Sequence, residues 1–365
     1  MTIFFRLYKK IIKNTFLQKR GTKVIVLAIT LNLFFGVIFY LAEKDAQKGL
    51  TLLDSIWWAM VTMTTVGYGD FYAQTSLGRF IISYPCMLVG IGIIGYLVGV
   101  VAENMLDRVS RKKRGLMHIK TKNHIIICNF PHLEKILRLV EELKRSYTYQ
   151  KAPVVLITNA IEELPEELKE LQVRFVHGDP VREEALNRAN VRECSGVFVL
   201  AHDPGNPNSD EKTFAIGTII EMIEREIKRP IKTVVELVSK ENLKMMQRSR
   251  VDGIVSSDGI MDGLMVQEFL YPGVNDIVHQ IITNAVGSQF YIFETKLVGL
   301  NFVDLQMAII RHPANVQLIG ISRKGKNILS PPRDTIVQEG DRLIILAGTR
   351  SDFEDMEDEI KNSFE

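Results

Sequence analysis

The chain has 365 residues, 24% charged and 46% hydrophobic, with a formal net charge of +2. That near-neutrality argues against nucleic acid as the main partner, and the length leaves room for a membrane part plus one large or two modest further domains. Its three cysteines, Cys86, Cys128 and Cys194, lie far apart in apolar runs, so neither a disulfide framework nor a zinc site is indicated.

Residues 3–17 mix apolar and basic side chains at helical spacing, the pattern of a helix lying on anionic lipid; residues 1–23 read as an interfacial or cytoplasmic segment. Residues 24–42 carry no charge and, at ~1.5 Å per residue, cover roughly 29 Å, the core of a bilayer. Residues 80–102 are equally free of Asp, Glu, Lys and Arg. The first span leads to a second, so neither reads as a cleaved signal. Arg6, Lys9, Lys10, Lys13, Lys19, Arg20 and Lys23 precede the pair, and Arg108, Arg111, Lys112, Lys113 and Arg114 come after it. By the positive-inside rule, this is a multi-pass protein of the cell (inner) membrane with both termini cytoplasmic.

Between the spans, residues 52–64 are apolar but too short to cross, the length of a re-entrant helix. Thr51 and Asp54 form a capping-box pattern at its start. The negative end of its dipole would face a central cavity and favour a cation. Trp57 and Trp58 would wedge the next segment against the surrounding helices. That segment is Thr64, Thr65, Val66, Gly67, Tyr68, Gly69 and Asp70, containing TVGYG, the string of a potassium selectivity filter. Gly67 and Gly69 lack a Cβ and can take positive φ, turning successive carbonyls towards one axis. The Thr65 hydroxyl would add the innermost ring, and Val66 and Tyr68 would pack outward. The permeant ion is then K+, and because one copy cannot enclose a path, a homotetramer in the lipid bilayer is implied. Residues 24–105 thus form a two-span pore domain. No Arg-rich helix precedes it, so intrinsic voltage sensing is not expected.

The second span contains Pro85 and the glycines Gly90, Gly92, Gly95 and Gly99, a density that permits close helix packing or a bend. Leu97 and Val101 are candidates for an apolar constriction, with Glu103 near the exit. Residues 106–122 read as a linker.

From residue 123 the period changes. Short β-branched runs at 124–128, 154–157, 173–176, 197–200, 233–237 and 253–255 alternate with amphipathic stretches at 132–146, 162–171, 182–190, 212–228 and 240–248. This pattern predicts a parallel sheet covered on both faces, a doubly wound Rossmann-like domain over 123–270, with its crevice at the strands' carboxyl ends. The loop after the first strand, Cys128 to His132, has no glycine, and Thr158 and Asn159 stand where an acidic residue would hold a ribose. The standard dinucleotide signature is therefore broken.

TTVGYGD between two spans, with such a domain after them, resembles the prokaryotic two-helix potassium channels that carry a C-terminal RCK (regulator of potassium conductance) domain. Phe175 to Pro180, then Ala185-Leu186 and Ala189-Asn190-Val191, is similar to the stretch after the third strand of RCK domains. Ile292-Phe293, Gly320 to Arg323 and Glu339 to Leu343 resemble its small C-terminal subdomain, assigned to 271–365. The fold implied is an all-α pore with a re-entrant helix, an α/β Rossmann-like lobe and a small α+β subdomain. The resemblance implies a hinge at Gly92 and a gating ring that opens the inner helices when a ligand binds. It also implies that extra RCK copies, made in some relatives from an internal start such as Met117, complete an octameric ring.

The ligand is open on the sequence. Calcium-gated relatives have acidic residues after the fourth strand and on the fifth. Here Asp203, Asp210 and Glu211 come after the fourth and Glu236 sits on the fifth, while Val238 replaces a further acid; Asp210, Glu211 and Glu236 form the candidate Ca2+ set. An adenine nucleotide (NAD, ADP or ATP) is the other expected regulator, with Asn129, Asn159, Gly178, Asp179, Ala201 and His202 as candidate contacts. The turn-rich run His202 to Ser209 could fold over such a ligand. No catalytic arrangement appears, so no enzyme is expected. A second reading is a membrane-tethered nucleotide-binding regulator or oxidoreductase-like protein with a secondary transport role.

Overall fold

The computed structural model describes residues 20–256, 258–349 and 351–364; the stretch 3–17 and the basic residues before Arg20 lie outside these. The chain divides into two units, residues 1–112 and 113–365.

In the first unit, α1 (Arg20–Glu43) and a long inner helix are each apolar and long enough to cross a bilayer, with the shorter α2 (Leu52–Met63) between them. The capping box at the start of α2 is formed: Asp54 N–H donates to the Thr51 hydroxyl, and the Asp54 carboxylate accepts from Thr51 N–H at 3.0 Å. The inner helix opens with a π-helical turn, Gly78–Ser83, in which the Ser83 hydroxyl donates to the Gly78 carbonyl at 2.8 Å. It continues as α3 (Tyr84–Lys113) through what the sequence suggested was half of a linker. Phe39 stacks on Trp58 with ring centres 3.6 Å apart, joining α1 to α2. Glu43, fully buried at the end of α1, accepts from Gln74 N–H (3.0 Å), Thr75 N–H (3.1 Å), the Thr75 hydroxyl (2.7 Å) and the Gln47 amide (3.3 Å). One carboxylate thus ties α1 to the loop from which the inner helix starts.

In the second unit, β1 (Ile125–Cys128), β2 (Val154–Thr158), β3 (Arg174–His177), β4 (Gly196–Val199), β5 (Lys232–Leu237) and β6 (Gly253–Ser256) form an all-parallel sheet, ordered 3-2-1-4-5-6. The connecting helices are α4 (Leu133–Arg145), α5 (Glu166–Glu170), α6 (Glu183–Arg188), α7 (Ser209–Ile227) and α8 (Leu243–Gln247). Two cores arise from the two-residue period of a strand. Ile126, Cys128, Val155 and Ile157 face one, with Ile216 and Ile220 of α7; Ile127, Val154 and Leu156 face the other, with Ile136 and Val140 of α4. The near-continuous apolar strands are what a sheet covered on both sides requires.

After α9 (Ile260–Leu270) and α10 (Val274–Ile282) comes a four-stranded antiparallel sheet, β7-β10-β8-β9, from β7 (Gln289–Glu294), β8 (Val316–Arg323), β9 (Lys326–Leu329) and β10 (Arg342–Ala347). Packed with it are α11 (Phe302–Arg311) and α12 (Ser351–Phe364), whose Leu305, Ile309, Phe353 and Met356 fill a separate core. Arg323 clamps the buried Asp341 through Nε (2.9 Å) and Nη2 (2.7 Å), and this guanidinium holds the Asp341 carboxyl below the usual carboxylate range.

Glu221, on α7, is a buried carboxyl in an unfavourable setting. Its burial, then the neighbouring Glu224 and Asp252 carboxylates, pushes its pKa up to about 7 despite Arg225 and Arg250. A raised folded-state value means its contribution to stability is complete below the unfolded value near 4.5 and is lost as pH rises to about 7. Glu221→Gln cannot suffer that loss. Relative to wild type, the variant should gain roughly 1–3 kcal/mol between pH 5 and pH 8, read as a growing difference in melting temperature of the full chain. A difference independent of pH would show that Glu221 ionises freely.

Candidate functional site

The loop after α2 owes its shape to where its amides go. Thr65 N–H donates to the Thr62 carbonyl (3.1 Å), and the Val66 and Gly67 N–H groups donate to the Val61 carbonyl (3.0 and 3.3 Å). Three successive amides are thus turned into the carboxyl end of α2, and their carbonyls are left to point elsewhere. The backbone alternates in hand: Thr65, Gly67 and Gly69 take φ of +63°, +57° and +77°. The two glycines adopt this freely; at Thr65, a β-branched residue, it is a strained conformation that the sequence did not announce. All seven residues from Thr64 to Asp70 are exposed within one protomer.

The two tryptophans divide their work. Trp57 Nε1 donates to the Asp70 carboxylate at 2.8 Å, and the Trp57 ring lies parallel to that of Tyr68, centres 6.0 Å apart. Trp58 instead packs away from the loop, on Phe39. The glycines of α3 divide as well. At Gly90 a Cβ would stand 2.5 Å from the Met63 carbonyl oxygen, so this is where α3 closes on the end of α2. Gly92, Gly95 and Gly99 have no such neighbour within 4 Å in the protomer. Leu97 is half-buried, following Cys86, Gly90 and Ile93 at helical spacing, while Val101 is exposed.

In the parallel sheet, strand order reverses between β1 and β4, which places the crevice at their carboxyl ends. That crevice is stitched shut by the protein's own side chains. Asn129 takes φ +74° where a Rossmann loop has its first glycine, and its Nδ2 donates to the Leu200 carbonyl at 2.7 Å. Ala201 N–H donates to Glu236 (3.1 Å), and Glu236 is in turn paired with Lys135 of α4. The His132 Nδ1 accepts from Lys135 N–H at 3.2 Å, capping the α4 terminus where a pyrophosphate would sit. His202 Nδ1 and the Ser209 hydroxyl are 2.8 Å apart, so the turn-rich run closes on the start of α7.

Three of the six expected nucleotide contacts come together one strand further out. Asn159, Gly178 and Asp179 line a cavity of about 310 Å3 with His177, Arg182 and Arg188, while Asn129, Ala201 and His202 are elsewhere. Asp179 reaches Lys212 of α7 at 3.2 Å. Arg182 and Arg188 offer positive charge to an anionic ligand there, beside the carboxylates of Asp179 and Glu184, and sequence reasoning missed both arginines. Arg182 and Arg188 stood in a short helix with no motif of their own.

The calcium set is not assembled. Asp210 is fully buried and its carboxylate is used by Val238 N–H (2.8 Å), Ser239 N–H (3.0 Å) and Asn242 Nδ2 (2.8 Å). Glu211 is exposed, and Glu236 is engaged by Ala201 and Lys135. Among the described residues no group of three or more His, Cys, Asp and Glu is placed to hold a metal ion. Asp210 thus serves as a cap for the turn after β5, with Glu211 on the surface and Glu236 in its pair with Lys135.

Three family models match the chain. The ion channel model covers residues 27–107, the calcium-activated potassium channel slowpoke-like RCK domain 120–233, and the Castor and Pollux part of a voltage-gated ion channel 258–362. The chain is 24% identical to the calcium-gated potassium channel TvoK of Thermoplasma volcanium, over 92% of this chain and 93% of that protein. It is 26% identical to probable potassium channel protein 2 of Methanocaldococcus jannaschii, over 94% and 97%. Among solved structures, the GsuK channel bound to NAD aligns with 92% of this chain at 15% identity and a TM-score of 0.44; the chain spans 59% of its length. The resemblance read from TTVGYGD and the strand–helix alternation is borne out, and these relatives are channels, not enzymes.

The Trp57–Asp70 bond ends on a carboxylate, a class worth about 1.5–3 kcal/mol. Trp57→Phe keeps the ring over Tyr68 and removes only that donor. Steady-state potassium current should fall, with faster decay during sustained opening, while the protein still assembles. Unaltered current kinetics would mean that Asp70 is held by something else.

Proposed function

We propose that this chain, a two-helix potassium channel with an RCK domain, conducts as a homotetramer and is gated by an anionic ligand of the nucleotide class bound to its RCK lobe. The observation that carries the conducting half is the loop from Thr65 to Gly69, whose first three amides are spent on α2 and whose hand alternates residue by residue. Carbonyls freed in this way, repeated four times around an axis, replace the hydration shell of a dehydrated potassium ion. One protomer leaves these groups open to solvent, and four-fold repetition encloses them.

A cytoplasmic RCK part is supported by Arg108, Arg111, Lys112, Lys113 and Arg114 beyond the second span, through the positive-inside rule. The free space around Gly92 supports a hinge there, since a bend needs no repacking within the protomer; Gly90 is anchored on Met63. Closure at Leu97 and Val101 would dewet an apolar constriction. Assembly of the cytoplasmic part is supported by the exposed Met261, Met265, Phe269 and Leu270 of α9 and Ile277 and Ile282 of α10, a contiguous apolar run that a second copy would cover. Further RCK copies starting at Met117, just before β1, would bring such a ring to eight.

For the ligand, the cavity among Asn159, Gly178, Asp179, Arg182 and Arg188 supports an anion carried on a nucleoside-sized body. Calcium, named for the Thermoplasma relative, is a second regulator to test, with Asp210, Glu211 and Glu236 as the carboxylates to probe. Gating needs the ligand to prefer one state of the ring over the other.

The purified protein, reconstituted in liposomes, should pass potassium and exclude sodium, and the potassium flux should change on adding NAD, ADP or ATP in turn. Equal sodium flux, or a dimer as the assembled species, would overturn the conducting half of this reading. A flux indifferent to every nucleotide but responsive to calcium would overturn the ligand half.

A further inference from the structure

We infer that Arg188 is the positioning residue through which occupancy of the RCK cavity reaches the pore, by its grip on the linker carbonyl of Gly115; this rests on the proposed binding of a nucleotide in that cavity.

The chain leaves α3 at Lys113 and turns at Gly115, the one buried residue in a stretch that is otherwise exposed. Gly115 takes φ +62°, and a Cβ there would stand 2.5 Å from His177 N and 2.7 Å from the Phe175 ring. The segment is thus pressed against β3, the edge strand of the sheet, where His177 N–H donates to the Gly115 carbonyl at 3.0 Å. Further along, Ile119 N–H donates to the Arg188 carbonyl (2.8 Å) and Asn190 Nδ2 to the Thr121 carbonyl (2.8 Å). The linker is therefore laced to the end of α6 before β1 begins.

Arg188 stands between this lacing and the cavity. Its Nη2 donates to the His177 carbonyl at 2.6 Å and its Nη1 to the Gly115 carbonyl at 3.3 Å. Its Nε is buried with no acceptor, the exposed Glu184 carboxylate lying 3.8 Å away. The guanidinium is also the wall on which Gly178 rests: a Cβ at Gly178 would lie 2.9 Å from Nη2. Arg188, Leu116, Gly178 and Asp179 all line the same cavity. A partly exposed guanidinium hydrogen-bonded to two carbonyls, its Nε unbonded and the exposed Glu184 carboxylate its counter-charge, is drawn towards an anion that enters beside it. The longer bond, to Gly115, is the one that yields. Movement at Gly115 is then passed along two residues of covalent chain to the end of α3.

The test uses the full chain, with ADP and NAD as probes, reading binding by calorimetry and open probability in planar bilayers. In Arg188→Gln the probes should bind more weakly, and with ligand raised to saturation the induced change in open probability should still fall at least roughly fivefold, the lower end of ordinary coupling. Arg188→Lys should fall between, because one ammonium cannot span two carbonyls as the fork does; it carries the test alone if Arg188→Gln does not assemble. A merely structural role would lower stability without separating binding from gating. Retained gating in either assembled variant overturns this inference and leaves the nucleotide proposal intact. A full response restored once ligand is raised to saturation would overturn it too, by limiting Arg188 to the ligand seat. A wild-type channel that responds to neither probe brings down both.

Discussion

The molecule depends on a transfer of hydrogen bonds at the end of α2. A helix ends with carbonyls that lack partners, and here the Val61 and Thr62 carbonyls are answered by the amides of Thr65, Val66 and Gly67. The exchange settles two matters at once: the Val61 and Thr62 carbonyls gain partners, and three amides of the loop are committed to the helix side. Everything nearby keeps this junction in place. Phe39 and Trp58 fix α2 against α1, Met63 meets α3 where Gly90 leaves room, and Glu43 fastens the far end of α1 to the loop beyond Asp70. Non-helical backbone at membrane depth persists only where protein or a water-filled cavity accounts for its polar groups, and here the amides of Thr65, Val66 and Gly67 are accounted for by α2.

The RCK lobe shows a Rossmann sheet whose usual phosphate seat has been put to structural use. Asn129 donates to the Leu200 carbonyl, His132 accepts from the Lys135 amide, and Lys135 pairs with Glu236, which also accepts from the Ala201 amide, across the ends of β1, β4 and β5. A carboxylate and an ammonium brought this close inside the crevice rigidify it and leave little for a pyrophosphate to displace. The polar space that remains open lies beside β3, towards the edge of the sheet where the chain from the membrane arrives.

Much of this was legible in the sequence because it depends on local rules. The charge-free runs, the capping box of Thr51 and Asp54, the glycines of TVGYG and the alternation of β-branched strands with amphipathic helices each carry their own physical cause. What escaped depends on partners distant in sequence. Asp210 read as a candidate calcium ligand, and its use by Val238, Ser239 and Asn242 exists only once α7 lies against β5. Arg188 had no motif, since its partners are carbonyls, which every residue has. The positive φ of Thr65 contradicts its local preference, and the bonds into α2 impose it.

The π-helical turn at Gly78–Ser83 has a consequence for the whole inner helix. A π turn accommodates one residue more than an α turn would, and one residue of α-helix is about 100° of rotation. The chain below is therefore phased by that surplus residue, which decides that Gly90 addresses Met63 while Gly92, Gly95 and Gly99 look away from it. Losing or gaining a residue at this height would leave both helices spanning yet dial a different set of side chains towards the ion path. An insertion or deletion there acts as a rotary selector, letting related sequences exchange the lining of the conduit without altering its length.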